Sequence, residues 1–430
     1  MQYSLIGYKS SYLVKQCWTV LDQVNGLTPM HAMIYSTLVL NKRADSTQRR
    51  CMTAICQFHQ YILTKHNDSF DSFLKLWGLR GVINELHGFS SYLDIGGKGV
   101  NIASTGAEAN LIDVETNRTR IKDVIKFLQF LNQRYTSIKY CNTMTAKKIN
   151  YEQVSISFLL KNTREELTSS GSKRGAVSIQ RAYKSLTPYQ CSTFLTIIRP
   201  STPSKVNEFN PFSSPRVSFR NYLICTLALE YGLRRGELSQ LETDSFKPAL
   251  HNIDGVISYY LVVTNCYDED AEGSIKTDDS HRTLKITKLH YDYLCAYVKN
   301  YRLEPEQACD SSILFLSTQS TKALTLRMYN KIFEVLTRAI HQHFDENVGN
   351  PESMEYLSSC HPHTLRHTWA VSQLYHLVDK EGKSITDAKD LLRVNGGWSI
   401  KSEMPDHYGR RFLADTANAA NLNQILQGEK

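Results

Sequence analysis

The sequence predicts a mainly α-helical protein that also contains a small antiparallel β-sheet. Apolar residues recur at helical spacing in residues 45–66 and again in residues 114–135. Residues 257–265 (ISYYLVVTN) are instead rich in β-branched and aromatic side chains, and residues 281–286 (HRTLKI) follow as a partner strand. Together these patterns predict an α+β protein, and its 430 residues allow two or three domains.

The predicted elements fall into two main domains joined by a linker. Residues 1–43 form a helical or mixed N-terminal extension of unknown role, and residues 44–170 are predicted as a helical domain. Residues 171–180 are mostly small, polar and basic, which is typical of a flexible linker. Residues 181–430 form the second domain, and Thr187, which a proline follows, is expected to cap its first helix.

The second domain alternates helices with short strands. Residues 218–241 are predicted as a helix, and the acidic stretch DEDAEGSIKTDD separates the two strands of the hairpin. Residues 313–317 (ILFLS) are predicted as a further short strand, and residues 325–344 as a helix. A short helix is expected over residues 417–426.

The bulk composition argues against several classes of protein. No run of 18 apolar residues occurs, so no membrane span is expected. The opening MQYSLIGYKSSYLV lacks the pattern of a secretory signal. The ten cysteines are scattered, which favours reduced thiols in the cytoplasm over a zinc finger. The net charge of +8 is compatible with a polyanionic partner but does not identify one.

Four basic residues lie largely off the apolar stripe of the helix predicted over residues 114–135. They are Arg118, Arg120, Lys122 and Lys126. A solvated helix face accounts for them, and so does a surface that contacts the DNA backbone, because lysine and arginine neutralise phosphates.

The stretch HPHTLRHTWA, residues 361–370, concentrates histidine and arginine. In a helix, His363 and Arg366 are three residues apart and share a face, and both side chains are expected to project from it. A zinc site would use His363 and His367, but Thr364 stands where a hydrolytic zinc motif has glutamate. A structural helix and a phosphate clamp are the other interpretations, and the clamp predicts further cations elsewhere in the chain.

The stretch GLRRGEL supplies such cations at a predicted helix junction. Arg234 follows a glycine–leucine turn, and Glu237 lies three residues later, where its carboxylate can brace a neighbouring guanidinium. Taken alone, the stretch is equally typical of a helix boundary with surface charges.

These two stretches and GGWSIKSEMPDHYGRRF (396–412) occur in an order that resembles the tyrosine recombinase (phage-integrase) family. The resemblance covers residues 180–412, and over residues 45–170 it is only a loose likeness to that family's helical core-binding domain. It implies that the core-binding and catalytic domains form a clamp around DNA.

The resemblance implies a residue of this chain for each position of the family's site. These are Arg234 with Glu237 in support, Lys276 in a hairpin turn, His363, Arg366, Trp398 and Tyr408. Arg235 is the alternative to Arg234 by one step of register, and Lys285 is the alternative to Lys276.

Two features depart from the family's pattern. Tyr408 follows Trp398 by ten residues where many members have nine, so His407 occupies the usual tyrosine position. The acidic insert at residues 268–272 is also longer than a tight hairpin needs. Trp398 stands where members have histidine or tryptophan, and its indole N–H is expected to hydrogen-bond at the phosphate.

The implied reaction is a transesterification of DNA in which Tyr408 becomes linked to a 3′-phosphate. Arg234 and Arg366 are expected to hold the non-bridging oxygens of the attacked phosphate. His363 is the expected base for the phenol proton, and Lys276 is the expected acid for the departing 5′-oxygen. The resemblance implies neither a metal nor another cofactor.

The resemblance also implies partners and a setting. The expected partner is a double-stranded recombination site, bound by a homo-tetramer that exchanges the helix of residues 417–426, with or without a second recombinase. The expected role is that of a mobile-element integrase in the bacterial cytoplasm, associated with the nucleoid. Three alternatives stay open: a catalytically silent DNA-binding accessory protein, a related type IB topoisomerase or telomere resolvase, and a metal-dependent hydrolase.

Overall fold

The chain forms two compact units, Met1–Ser172 and Lys173–Lys430. The computed structural model describes residues 2–9, 16–95, 114–140, 142–169, 185–202, 204–250, 256–266, 268, 272–273, 275, 278–303, 309–346, 360–410, 412–413 and 416–417. The predicted linker therefore lies outside the described residues, and so does the predicted C-terminal helix after residue 417. No helix in these ranges is long and apolar enough to cross a membrane.

The first unit is a helical bundle that carries a β-hairpin. Its elements are β1 (Tyr3–Tyr8), β2 (Cys17–Asp22), α1 (Met30–Tyr35), α2 (Asp45–His66), α3 (Phe70–Asp94), α4 (Val114–Tyr140) and α5 (Ala146–Ser169). The hairpin is antiparallel and rests on α2, where the Gln60 side chain accepts a hydrogen bond from the Gln2 amide at 2.9 Å. Tyr3 and Val20 of the hairpin join the same buried core as the helices.

Helix α4 buries one face in this bundle and exposes the other. Its residues Val124 and Leu128 are fully buried, and Asp123 is buried in an ion pair with Arg50 of α2, at 2.8 Å. The apolar stripe that the sequence places on this helix thus faces the core.

The second unit combines helices with a three-stranded antiparallel sheet. Its elements are α6 (Pro188–Ile198), α7 (Pro215–Glu230), α8 (Arg235–Leu238), β3 (Phe246–Leu250), β4 (Ile257–Val263), β5 (Arg282–Ile286), α9 (Lys288–Asn300), α10 (Leu326–Glu346), α11 (Pro362–Tyr375) and α12 (Ile385–Gly396). Strand β4 lies between β3 and β5, and Leu261 pairs with Phe246 on one side and Leu284 on the other. Residues 404–410 are also helical.

Local sequence explains where several of these elements begin. Thr187 caps α6 as predicted, because its side chain accepts from the Gln190 amide while the Gln190 side chain accepts from the Thr187 amide. Pro362 occupies the first turn of α11, where its missing N–H costs no hydrogen bond. Residues 313–317, predicted as a strand, form only isolated bridges in the structure.

The mainly α-helical architecture with a small antiparallel sheet confirms the predicted fold class. Two features were not anticipated. The N-terminal extension begins with a β-hairpin, and β3 adds a third strand to the predicted hairpin of β4 and β5. Strand β3 has the sequence FKPAL, and its proline and its exposed residues explain why the strand pattern is weak there.

Candidate active site

Gly232 brings the end of α7 against α11. Its φ is +67°, and a β-carbon at this position would lie 2.3 Å from Cε3 of Trp369. Only glycine satisfies both the left-handed backbone and this close approach. The chain then turns so that Arg234 precedes α8.

Arg234 points into the unit and binds Glu237. Its Nη1 donates to Oε1 of Glu237 at 2.5 Å, and its backbone N–H donates to Oε2 at 2.9 Å. Arg235 turns elsewhere and donates to Oδ1 of Asn330 on α10, at 2.5 Å. The structure therefore places Arg234, and not Arg235, beside the other predicted site residues.

Glu237 is the buried carboxylate of this cluster, and only 2% of its side chain is exposed. Arg282 of β5 donates to its Oε2 at 2.9 Å. Burial alone would raise the pKa of this carboxyl, but Arg282, Arg234 and Arg366 together lower it to about 2. The carboxylate is therefore ionised at neutral pH.

Arg366 lies at the centre of the cluster and is only 1% exposed. It donates to the carbonyls of Gly232 and Gly396, and its Cζ lies 4.2 Å from the centroid of the Trp398 ring. Burial and then the positive charge of Arg234 lower the pKa of Arg366 to about 9. The sequence predicted that Arg366 projects from the helix, but the folded chain buries it.

Tyr408 packs against the same tryptophan. Its ring centroid lies 5.5 Å from that of Trp398 and 4.9 Å from that of His367, and the residue is only 2% exposed. No described residue makes a hydrogen bond of ordinary geometry to its buried hydroxyl, but the Arg366 guanidinium lies close enough to act on the phenol as a donor. Burial raises the pKa of the phenol, and the charges of Arg366 and Arg234 offset part of that rise.

His407 and Tyr408, the two neighbours near the end of the third motif, differ in exposure. His407 is exposed, whereas Tyr408 belongs to the buried cluster with Phe412 and Leu392. Tyr408 is thus the residue that faces Trp398, although it follows that tryptophan by ten residues.

The three histidines of α11 occupy different positions. His361 caps the helix, and its Nδ1 accepts from the Thr364 amide at 3.0 Å. His363 is exposed, and its ring centroid lies 4.3 Å from that of His367, which contacts Tyr408. Within the described ranges, no group of three His, Cys, Asp or Glu side chains is arranged to hold a metal ion.

Lys276 lies outside the described residues, but Ile275 and Ser280 near it are described. Ile275 is buried, and its amide donates to Oδ1 of Asn265 at 2.7 Å. Ser280 donates to the Gly397 carbonyl at 3.1 Å and lies 3.3 Å from Nη1 of Arg234. Lys285, the alternative lysine, is exposed on β5.

The four basic residues of α4 belong to the first unit and have local partners where contacts are seen. Arg118 lies 3.6 Å from Glu115, Arg120 donates to Asn117, and Lys126 lies 3.7 Å from Asp123. Of the four, only Lys126 is strongly exposed, whereas Lys122 is half-buried like the two arginines.

The structure adds residues that the sequence analysis did not select. Arg282 and Ser280 bind the cluster from the β4–β5 side, and the carbonyls of residues 395–397 bind it from the end of α12. The sequence signal for Arg282 is weak: it is a single arginine in the predicted strand HRTLKI, and an exposed strand residue would look the same.

Three guanidiniums therefore surround one carboxylate. Arg234, Arg282 and Arg366 carry three positive charges against the single negative charge of Glu237. Buried charge of one sign is costly unless a counter-ion neutralises it. The charge of this cluster favours an anion with several oxygen acceptors, such as a phosphate diester.

No protein-family profile and no curated protein matches the chain. Its function must therefore be inferred from this site.

Proposed function

We propose that the chain is a site-specific DNA recombinase that cleaves and rejoins DNA through a 3′-phosphotyrosine intermediate. One observation carries the proposal: a buried tyrosine hydroxyl that makes no hydrogen bond of ordinary geometry with the described residues lies beside the guanidinium of Arg366, in a site with excess positive charge. An unpaired buried polar group calls for an explanation, and a nucleophile that awaits its substrate supplies one.

In the proposed cleavage step, Tyr408 Oη attacks the phosphorus while Arg234 and Arg366 hold the two non-bridging oxygens. The Oη–P bond forms and the P–O5′ bond breaks. The phenol proton passes to His363, and the 5′-oxygen takes a proton from Lys276. Trp398 hydrogen-bonds at the same phosphate. Rejoining reverses these transfers with a 5′-hydroxyl from the other duplex.

The proposal extends to the assembly. The first unit is a DNA-binding domain that closes a clamp with the catalytic unit, and the basic residues of α4 contribute to its DNA contacts. Four copies act on a recombination site and exchange the segment after residue 417. The natural reaction is integration of a mobile element in a bacterial cytoplasm. These points rest on the resemblance and on the charge of the site.

Covalent trapping tests the proposal. Nicked duplexes that tile the DNA flanking the gene are incubated with wild type and with Tyr408→Phe, without divalent metal, and separated on denaturing gels. Wild type alone should yield a shifted protein–DNA band. Tyr375→Phe is the matched control, because Tyr375 packs on Phe412 in the same cluster, 4.8 Å between ring centroids, and is not a proposed nucleophile.

Any other outcome of the trapping experiment would favour a different nucleophile or a different function. Adducts in both wild type and Tyr408→Phe would exclude Tyr408 as the nucleophile. Binding of the duplexes without any adduct would favour a silent DNA-binding protein. Relaxation of supercoiled plasmid that carries no specific site would favour a type IB topoisomerase, and activity abolished by chelators would favour a metal-dependent hydrolase.

A further inference from the structure

Arg282 connects three parts of the site through three different nitrogen atoms. Its Nε donates to the Asn395 carbonyl at 2.8 Å, its Nη1 to the Ser280 carbonyl at 2.9 Å, and its Nη2 to Oε2 of Glu237 at 2.9 Å. The side chain is only 6% exposed. Because all three guanidinium nitrogens already donate to protein acceptors, Arg282 is suited to hold other groups in place and not to bind a ligand itself.

The turn at the end of α12 is held by all three arginines. Three consecutive carbonyls each accept from a different one: Asn395 from Arg282, Gly396 from Arg366, and Gly397 from Arg234. Gly397 has a φ of +60°, and a β-carbon there would lie 2.8 Å from Nη1 of Arg282. The turn that leads into Trp398 is therefore shaped around Arg282.

Arg282 also divides the charge of Glu237. It holds Oε2 of that carboxylate, while Nη1 of Arg234 holds Oε1. Without Arg282, Oε2 would be open to a second bond from the Arg234 guanidinium, and that bond would turn Arg234 away from an incoming anion.

We infer that Arg282 is a positioning residue that acts through Glu237 and the turn of residues 395–397. It holds Arg234 and Arg366 so that both guanidiniums face one phosphate anion. The inference rests on the proposed function only for the identity of that anion as a phosphate of DNA.

Binding of inorganic phosphate tests the inference without any DNA. Phosphate that binds the folded site should raise the Tm of wild type at constant ionic strength. Arg282→Gln should lose this rise, and Arg282→Gln with Glu237→Gln should regain part of it, because the unbalanced carboxylate is then removed. This double variant also restores the net charge that the site has in wild type, so it provides a second test of the inference if the single variant folds poorly.

Arg302→Gln is the matched control for loss of a buried arginine. Arg302 is buried in the same unit and donates only to backbone carbonyls among its described contacts, those of Ser311 and Ile313, outside the site. It should lose stability and keep the phosphate response. A normal response in Arg282→Gln, or no response in wild type, would overturn the inference.

Cleavage kinetics provide the second test. At saturating duplex, Arg282→Gln should form the adduct about 10- to 100-fold more slowly, because displaced catalytic groups lose rate and not only affinity. The duplex concentration at half-saturation should change by less than about threefold. Arg282→Lys should stay at least about tenfold slow, since an ammonium cannot span three acceptors.

The two hypotheses fail in different ways. A wild-type rate of adduct formation in Arg282→Lys would show that a positive charge alone suffices at this position. If Arg282→Gln and Arg302→Gln lost the phosphate response and the rate equally, Arg282 would contribute only to stability. If wild type binds phosphate as described but forms no adduct, the proposed function fails while the assignment of Arg282 stands.

Discussion

Replacement of Gly232 by alanine should destabilise the second unit through two separate effects. Alanine in the left-handed region, here at a φ of +67°, costs about 1–2 kcal/mol. Its β-carbon would also lie 2.3 Å from Trp369, and such overpacking costs about 1–3 kcal/mol. The sum is a loss of about 2–5 kcal/mol in the free energy of unfolding.

Gly382→Ala separates the two effects. Gly382 lies in the same unit with a φ of +66°, but no atom lies within 4 Å of its added β-carbon. It should therefore show only the conformational cost. Urea titrations followed by hydrogen exchange of the α11 amides measure both variants. An equal loss of unfolding free energy in the two variants would refute the close contact between Gly232 and Trp369. It would also refute the view that this contact positions the Gly232 carbonyl, to which Arg366 donates.

Two further predictions concern single side chains. Arg234→Gln should slow adduct formation about 10²–10³-fold, whereas Arg235→Gln should change it little, because only Arg234 lies in the site; single-turnover trapping measures both. Burial lowers the pKa of His59 from 6.5 to about 4, so only the unfolded chain gains a proton as pH falls between these values. Stability should drop there by at most about 3 kcal/mol, and His59→Phe should abolish that drop in urea titrations followed by exchange of α2; a drop in the variant would contradict it.

The fold class could be predicted from the sequence, and the motifs could be found in it, because both depend on local patterns. Capping of α6 by Thr187, for example, involves residues only three positions apart. The environment of Arg366 depends instead on Gly232 and Gly396, which lie 134 and 30 residues away in the chain. Helical periodicity carries no information about such partners, so it predicted a projecting side chain where the fold buries one.

The same limit explains why Arg282 was missed. In the sequence it is one charged residue in a short strand, and its partners Glu237 and Asn395 are 45 and 113 residues away. The choice between Arg234 and Arg235 likewise depended on Asn330, a residue of a distant helix. Motifs therefore selected the types of residue in this site, whereas tertiary contacts decided which copy of each type belongs to it.

The end of α12 offsets part of the excess positive charge of the site. The last carbonyls of a helix lack intrahelical partners and carry the negative end of its dipole. Here the carbonyls of Asn395 and Gly396, the last two residues of the helix, and that of the following Gly397 accept from the three guanidiniums of the site. A phosphate diester offers stronger acceptors to Arg234 and Arg366 than these carbonyls do. The exchange would favour binding of the anion while Arg282, which keeps its bond to Glu237, still holds the turn that leads to Trp398.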